Sequence, residues 1–387
     1  MTSETARHSF QPSDILPVST DLLPFGVEDD AFTAFWERWS AWKAAAASNS
    51  IRAMTNGMKR FADWARERGH RLLPADPAAV SLFLEDEARD GRSPATCAQR
   101  VAALALLHRL ASQPDPTKDE LVRWRLTNIR KSYGRPQAQA LGLRIKGDVN
   151  DIKNDDATGV SIEGLILEAT KLGETLGEEP ASIADRRTAL TLRRDAAMLS
   201  IAYDAGLRAE EVVRINEDDI ATSTDGDGLL SIRRSKTDQI GEGAEAHLSH
   251  DAIAHLEAWF AAADKAGGLD GPIFVGVTAA AQLSTKALKP AAVTESFRRL
   301  AALYLKAQRP AGTLTAEDKV VLSTISSHSA RVGACQDAIA YGDDLIGIMN
   351  SYRWTSPAMP ARYGRKLLAG RSSAARFHRE VRKTSGQ

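Results

Sequence analysis

Two runs near the end of the chain, SSHSARVGACQDAIAYG (326–342) and RWTSPAMPARYGRK (353–366), decide how the rest of it is read. His328 and Arg331 lie three residues apart, one helical turn, so both side chains reach one point. Trp354 follows Arg331 by 23 residues, and Tyr363 follows Trp354 by nine. Upstream, AYDAGLRAEEVVRI (202–215) sets Arg208 just past a helix stop at Gly206, at the start of the next helix and three residues before Glu211. A guanidinium with a carboxylate one turn away is pre-oriented. It stays charged at any working pH and offers a planar fork to phosphate oxygens, which a lysine meets only as a point charge. Taken alone, an Arg-x-x-Glu pair on a helix is an ordinary surface ion pair.

Between these segments, LLSIRR (229–234) and AHLS (246–249) read as two short strands joined by the turn SKTDQIGEGAE (235–245), which carries Lys236. The set GLRAEE, SKTDQ, HSARVGA, and Trp followed nine residues later by Tyr resembles the active-site set of the tyrosine recombinases, the phage-integrase family. The likeness extends through GDDLIGIMNSYRWT and QLSTKAL in the second half, and through KRFADWARERGHRLLPADPAAV and LALLHRLAS in the first. It covers residues 30 to 385 or so.

The resemblance implies a mainly helical fold with a small antiparallel sheet in the catalytic domain, built as a two-domain clamp around duplex DNA. It implies catalysis through a 3′-phosphotyrosine at Tyr363, with Arg208 and Arg331 clamping the phosphate and Lys236 as general acid. His328 would relay the tyrosine proton, Trp354 would donate one hydrogen bond, and Glu211 would support Arg208 or His328. No metal, nucleotide or other cofactor is expected, because the arginines supply the positive charge. Tyr341 and Tyr352 compete as nucleophiles, and spacing from Trp354 selects Tyr363. Pro357 and Pro360 leave two options for that segment: a short helix started by Pro360 with Tyr363 in its first turn, or order gained only on DNA.

The domains follow. Residues 1–29 form an acidic, flexible tail and 30–134 a helical, SAM-like core-binding domain. Residues 135–160 form a linker, whose KGDVNDIKNDDATG has little to bury, and 161–387 the catalytic domain with a carboxy-terminal protomer-docking helix in SSAARFHREVRK. Five helices are expected in the first domain. One carries Phe32, Phe35, Trp36, Trp39 and Trp42, with the aromatic stripe as packing. Ser48, Asn49 and Ser50 supply stop and restart chemistry before a second helix over 51–68, and Asp76-Pro77 opens a third. Ser93-Pro94 opens a fourth, and Thr117 caps a fifth ending near Tyr133. A helix over 185–204 follows the linker, with helices dominant after the two strands.

Composition is that of an ordinary soluble chain: 387 residues, 43% hydrophobic, 26% charged, without a membrane-length apolar run or a secretory start. A cytoplasmic, nucleoid-associated bacterial location is expected. The formal net charge is zero, yet residues 31–140 carry 18 lysines and arginines against 11 acids, so a basic domain sits behind an acidic tail. Cys97 and Cys335 are too far apart in sequence for zinc-ligand spacing and read as small buried residues. The family likeness makes Arg52, Thr55, Asn56, Lys59, Gln99 and Arg100 candidate major-groove contacts, with Lys286 from the catalytic domain. The expected partners are duplex DNA with an inverted-repeat site and three further copies of the chain, with a monomer or weak oligomer off DNA. Rival readings are a telomere resolvase, a type IB topoisomerase relative, and a non-catalytic DNA-binding protein.

Overall fold

The computed structural model describes residues 29–134, 139–149, 152, 153, 155–178, 180–233, 243–370, 372, 374, 375, 377, 378 and 381. The chain divides into two compact units, Met1–Gln137 and Ala138–Gln387. Among the described residues no helix is long and apolar enough to cross a membrane.

The first unit is helical: α1 (Asp30–Ala45), α2 (Ser48–Arg68), α3 (Pro77–Arg89), α4 (Pro94–Leu110) and α5 (Glu120–Ser132). Asp76 caps α3 by accepting from Ala78 N at 3.0 Å, and Ser93 caps α4 by accepting from Thr96 N at 3.1 Å. A proline at the first position of each costs no hydrogen bond. Two expected boundaries are corrected. Helix α2 begins at Ser48 on Ala47 with no side-chain cap, so Ser48, Asn49 and Ser50 lie inside the helix. Thr117 sits in a 3-10 turn, and Asp119 caps α5 instead, because its carboxylate accepts from Leu121 N at 2.8 Å.

The core of this unit is Phe35, Trp39, Met58, Phe61, Phe83 and Leu104 with their neighbours, so the aromatic stripe of α1 does pack inward at Phe35 and Trp39. Helices α2 and α4 approach closely at Gly57, where a Cβ would stand 2.5 Å from that of Ala103. His108 is wholly buried on α4. Its Nδ1 lies 2.8 Å from Leu104 O, and Nε2 accepts from Ala75 N at 2.9 Å.

In the second unit α6 (Ile162–Glu178) and α7 (Ile183–Asp204) pair, and the short α8 (Ala209–Val212) follows. Strands β1 (Ile220–Thr222), β2 (Gly228–Ile232) and β3 (Ala244–Leu248) form an antiparallel sheet in that order, with Leu230 opposite both Ile220 and Ala246. Next come α9 (His250–Asp264), a second antiparallel pair β4 (Val275–Val277) and β5 (Leu283–Ala287), then α10 (Pro290–Ala307) and α11 (Ala316–Thr324). The unit ends with α12 (Ser329–Tyr341), α13 (Leu345–Tyr352), α14 (Ala358–Tyr363) and α15 (Arg365–Gly370). Helix α7 is buried on all sides from Ala196 to Ala202, as a central helix must be.

Residues 139–149, inside the stretch read as a linker, carry buried side chains. Leu143 and Val149 are buried, and the backbone N–H groups of Leu141 and Leu143 donate to Thr324 O and Ser329 O. Gly333 on α12 admits this strand so closely that a Cβ there would lie 1.8 Å from Leu143 O. Arg144 gives its Nε to Asp337 at 2.6 Å, and Asp337 also accepts from Ile145 N and from the Tyr203 hydroxyl, each at 2.7 Å.

Burial holds the His108 imidazole below its ordinary pKa, outweighing the upward pull of its bond to Leu104 and of Asp115. Because the folded value lies below the unfolded one, His108 stabilises fully above about pH 6.5, and that contribution is lost as pH falls further. Denaturant unfolding monitored between pH 7 and pH 5 should lose up to about 1.4 kcal/mol per pH unit from this residue. His108→Gln, which cannot titrate, should show a shallower decline over the same window.

Candidate active site

Helix α7 ends because Gly206 turns left-handed, φ +55°, a conformation natural to glycine. No side chain would fit there either, since a Cβ would lie 2.5 Å from the Tyr352 ring. The turn sets Arg208 at the N-cap of α8 with extended backbone. Glu211 closes the first turn: its carboxylate accepts from Arg208 N at 3.0 Å and from Arg208 Nη1 at 2.8 Å. The glutamate is buried, and the arginine side chain keeps 19% exposure.

Arg331, on the first turn of α12, is 2% exposed. Its guanidinium donates to Gly206 O through Nη1 and to Tyr352 O through Nη2, the latter at 2.6 Å. Its Cζ lies 4.2 Å from the centre of the Trp354 ring. Burial, then the neighbouring Arg208, lowers its pKa to about 9, with Glu211 opposing, so it stays charged at neutral pH.

Helix α13 closes with Arg353 left-handed at φ +57°, which lets Trp354 N donate to Met349 O at 2.9 Å. Trp354 then meets Tyr363 edge to face, with ring centres 6.0 Å apart. The prolines are accommodated at the start of α14. Pro357 is its N-cap and Pro360 its third residue, where no intrahelical donor is required. Tyr363 is therefore the last residue of α14 rather than part of a first turn begun by Pro360, which corrects the first of the two expected arrangements. The ring packs with Cys335, Ile339 and Ile348, and its backbone O accepts from Gln336 Nε2 at 3.1 Å. Burial raises the Tyr363 phenol above its ordinary pKa, and Arg331, Arg362 and Arg208 pull it back. Of its rivals, Tyr341 is exposed beneath Lys153, and burial pushes the Tyr352 phenol up without an arginine opposing it.

Arg208, Glu211, Arg331, Trp354 and Tyr363 thus share one neighbourhood. His328 stands exposed at the N-cap of α12, one turn before Arg331. Lys236 lies outside the described residues. The last described residue before its turn, Arg233, is anchored with Nε 2.5 Å from Asp219. Sequence reading missed Arg353, whose Nη2 donates to Ala205 O at 2.8 Å and lies 3.6 Å from Glu211. A cation directly before Trp354 was the available signal.

Of the candidate DNA contacts, Arg52, Asn56, Lys59 and Gln99 are exposed on α2 and α4, Thr55 is half-buried, and Lys286 is exposed on β5. Arg100 differs from the others in its surroundings. It is buried, with Nε bound to Glu87 at 3.2 Å and Nη1 to Asn56 at 2.8 Å, so its guanidinium is committed inside the unit. Arg60 holds the other oxygen of Glu87 at 2.9 Å.

No family model matches the chain. It is 26% identical over 333 residues to the recombinase cre of Escherichia phage P1, covering 84% of this chain and 86% of that protein. It is 25% identical over 326 residues to an integrase/recombinase xerD homolog of Selenomonas ruminantium, covering 82% and 81%. Among solved structures, the XerH site-specific recombinase in its post-cleavage complex with a palindromic difH substrate superposes with a TM-score of 0.56. That match has 14% identity over 89% of this chain and 84% of the other. The Tn1549 transposon integrase bound to transposon right end DNA gives 0.51, at 11% identity over 88% and 98%. The chain therefore shares the fold of these recombinases, mainly helical with small antiparallel sheets, and is similar to two recombinases in sequence over most of its length.

The geometry separates structural from chemical roles. Arg331→Ala should cost about 2–4 kcal/mol in denaturant unfolding, because one buried and one half-buried carbonyl lose their donor. Among the described residues the Tyr363 hydroxyl makes no hydrogen bond, so Tyr363→Phe should stay within about 1 kcal/mol of wild type in the same assay.

Proposed function

We propose that this chain is a site-specific recombinase that cuts and rejoins duplex DNA through a 3′-phosphotyrosine on Tyr363. The observation that carries the reading is the stack in which the Arg331 guanidinium lies over Trp354 and Trp354 lies edge-on to Tyr363. It brings a permanent cation, an indole donor and a phenol together.

A phosphodiester resists attack because its oxygens carry charge, so the site must neutralise the phosphate and align nucleophile and leaving group. Arg208 and Arg331 bind the non-bridging oxygens, and Trp354 Nε1 donates one further hydrogen bond. The Tyr363 oxygen attacks phosphorus and its proton passes to His328. The bond to the 5′-oxygen breaks, and Lys236 supplies that oxygen with a proton. A 5′-hydroxyl from another strand reverses the step, so the phosphate bond is conserved and neither nucleotide nor metal is consumed. Both units bind duplex DNA at an inverted-repeat site. Arg52, Thr55, Asn56, Lys59 and Gln99 face one side of the duplex and Lys286 contacts it from the second unit. Four copies synapse two sites, two cutting at a time through a Holliday junction. The carboxy-terminal segment, half of which lies outside the described residues, docks on a neighbouring copy.

Incubation with the DNA flanking its gene, followed by denaturing gels, should trap a covalent adduct with wild type and none with Tyr363→Phe. An adduct of equal yield from the phenylalanine variant would sink the assignment and turn attention to Tyr352. Lys236→Ala should slow cleavage by about 10²–10⁴-fold on ordinary DNA. It should recover most of that loss on DNA with sulfur in place of the bridging 5′-oxygen, because a thiolate leaves without a proton. An equal deficit on both substrates would remove Lys236 from the role of acid.

A further inference from the structure

Arg353 occupies a backbone position that favours glycine. It closes α13 at φ +57°, where an L side chain is crowded, so something must hold an arginine there. Its side chain is only 10% exposed. Nη2 donates to Ala205 O at 2.8 Å, whereas Nε and Nη1 are buried with no hydrogen-bond partner among the described residues. Burial lowers its pKa, Glu211 holds it up, and Arg208 opposes it.

Glu211 is therefore shared. One oxygen receives Arg208 Nη1 at 2.8 Å, and the other lies 3.6 Å from Arg353 Nη2. Of the two arginines Arg208 is the more exposed. For Arg208 to bind a phosphate it must give up part of its hold on a buried carboxylate, and an uncompensated buried charge is strongly unfavourable. Arg353 is placed to supply the compensation. We propose that Arg353 is a positioning residue that neutralises Glu211, so that Arg208 can turn to the scissile phosphate. This rests on the recombinase reading for the identity of that phosphate. As Arg208 swings away, Arg353, whose Nη2 lies 3.6 Å from the carboxylate, is left as its neutralising cation.

The test uses the full chain with Arg353→Gly, which suits the backbone, Arg353→Lys, which keeps the charge, and Glu211→Gln added to the glycine variant. Two readouts are taken. One is single-turnover adduct formation on a duplex that wild type cleaves, with DNA affinity from gel shift. The other is the rise in melting temperature with inorganic phosphate at constant ionic strength, which needs no DNA site. Arg353→Gly should melt cooperatively, bind DNA within about twofold of wild type, form adduct at least about tenfold more slowly, and bind phosphate at least about fivefold more weakly. Glu211→Gln should restore both to within about threefold, because a neutral partner needs no second cation, and Arg353→Lys should fall between. Wild-type phosphate binding by the glycine variant, or no recovery on adding Glu211→Gln, would overturn the proposal. Absence of any adduct with wild type would count against the recombinase reading itself, and the phosphate titration would then decide the role of Arg353 alone.

Discussion

A guanidinium with 2% exposure must have its donors answered, and Arg331 finds its acceptors in parts of the chain far apart in sequence. Gly206 O belongs to the turn after α7, Tyr352 O to the end of α13, and the Trp354 ring to the loop before α14. The turn at Gly206 that exposes this carbonyl also sets Arg208 at a helix start, and the left-handed close of α13 that exposes Tyr352 O also turns Trp354 towards Tyr363. One buried cation therefore fixes the relative positions of the groups that the proposed chemistry needs. Moving any of the three segments would leave a charged donor in an apolar interior.

The opposite face of α12 is fastened in the same manner. Asp337 receives Arg144, Ile145 N and the Tyr203 hydroxyl, and Gly333 lets the chain at Leu143 lie directly on the helix. Arg331 and Asp337 sit six residues apart on one helix, one answering the segments that carry the site and the other the segment that enters the second unit. Tyr203 lies three residues before Gly206, so both fastenings converge on the end of α7.

Elements that declare themselves locally were legible in the sequence. Asp76-Pro77, Ser93-Pro94 and Gly206 each act through their own backbone, and the structure places helix ends where those residues require them. What escaped depended on distant partners. Leu143 and Val149 lie in the stretch read as a linker, and the close approach of the chain to α12 at Gly333 is what buries Leu143. Strands β1 and β4 are three residues each, too short to display alternation. Arg100 has the residue type of a groove reader, yet Glu87 lies 13 residues away in sequence and within 3.2 Å in space. Arg353 was passed over although it directly precedes Trp354, because its partner Glu211 comes from another element.

A chain with formal net charge zero can still concentrate charge where a reaction needs it. Three guanidiniums, Arg208, Arg331 and Arg353, gather around one carboxylate, Glu211, leaving a local surplus of two positive charges. A bound phosphodiester carries one negative charge and would leave that surplus half matched. In the proposed reaction the phenol oxygen adds to phosphorus without its proton, so the transition state carries a second negative charge and draws more from these cations than the substrate does. The site is then better matched to the transition state than to the substrate, which is the condition for catalysis rather than for tight binding alone. Burial works in the same direction. It raises the Tyr363 phenol, so the tyrosine rests neutral beside the cations, and its negative charge appears only as the phosphate takes it up.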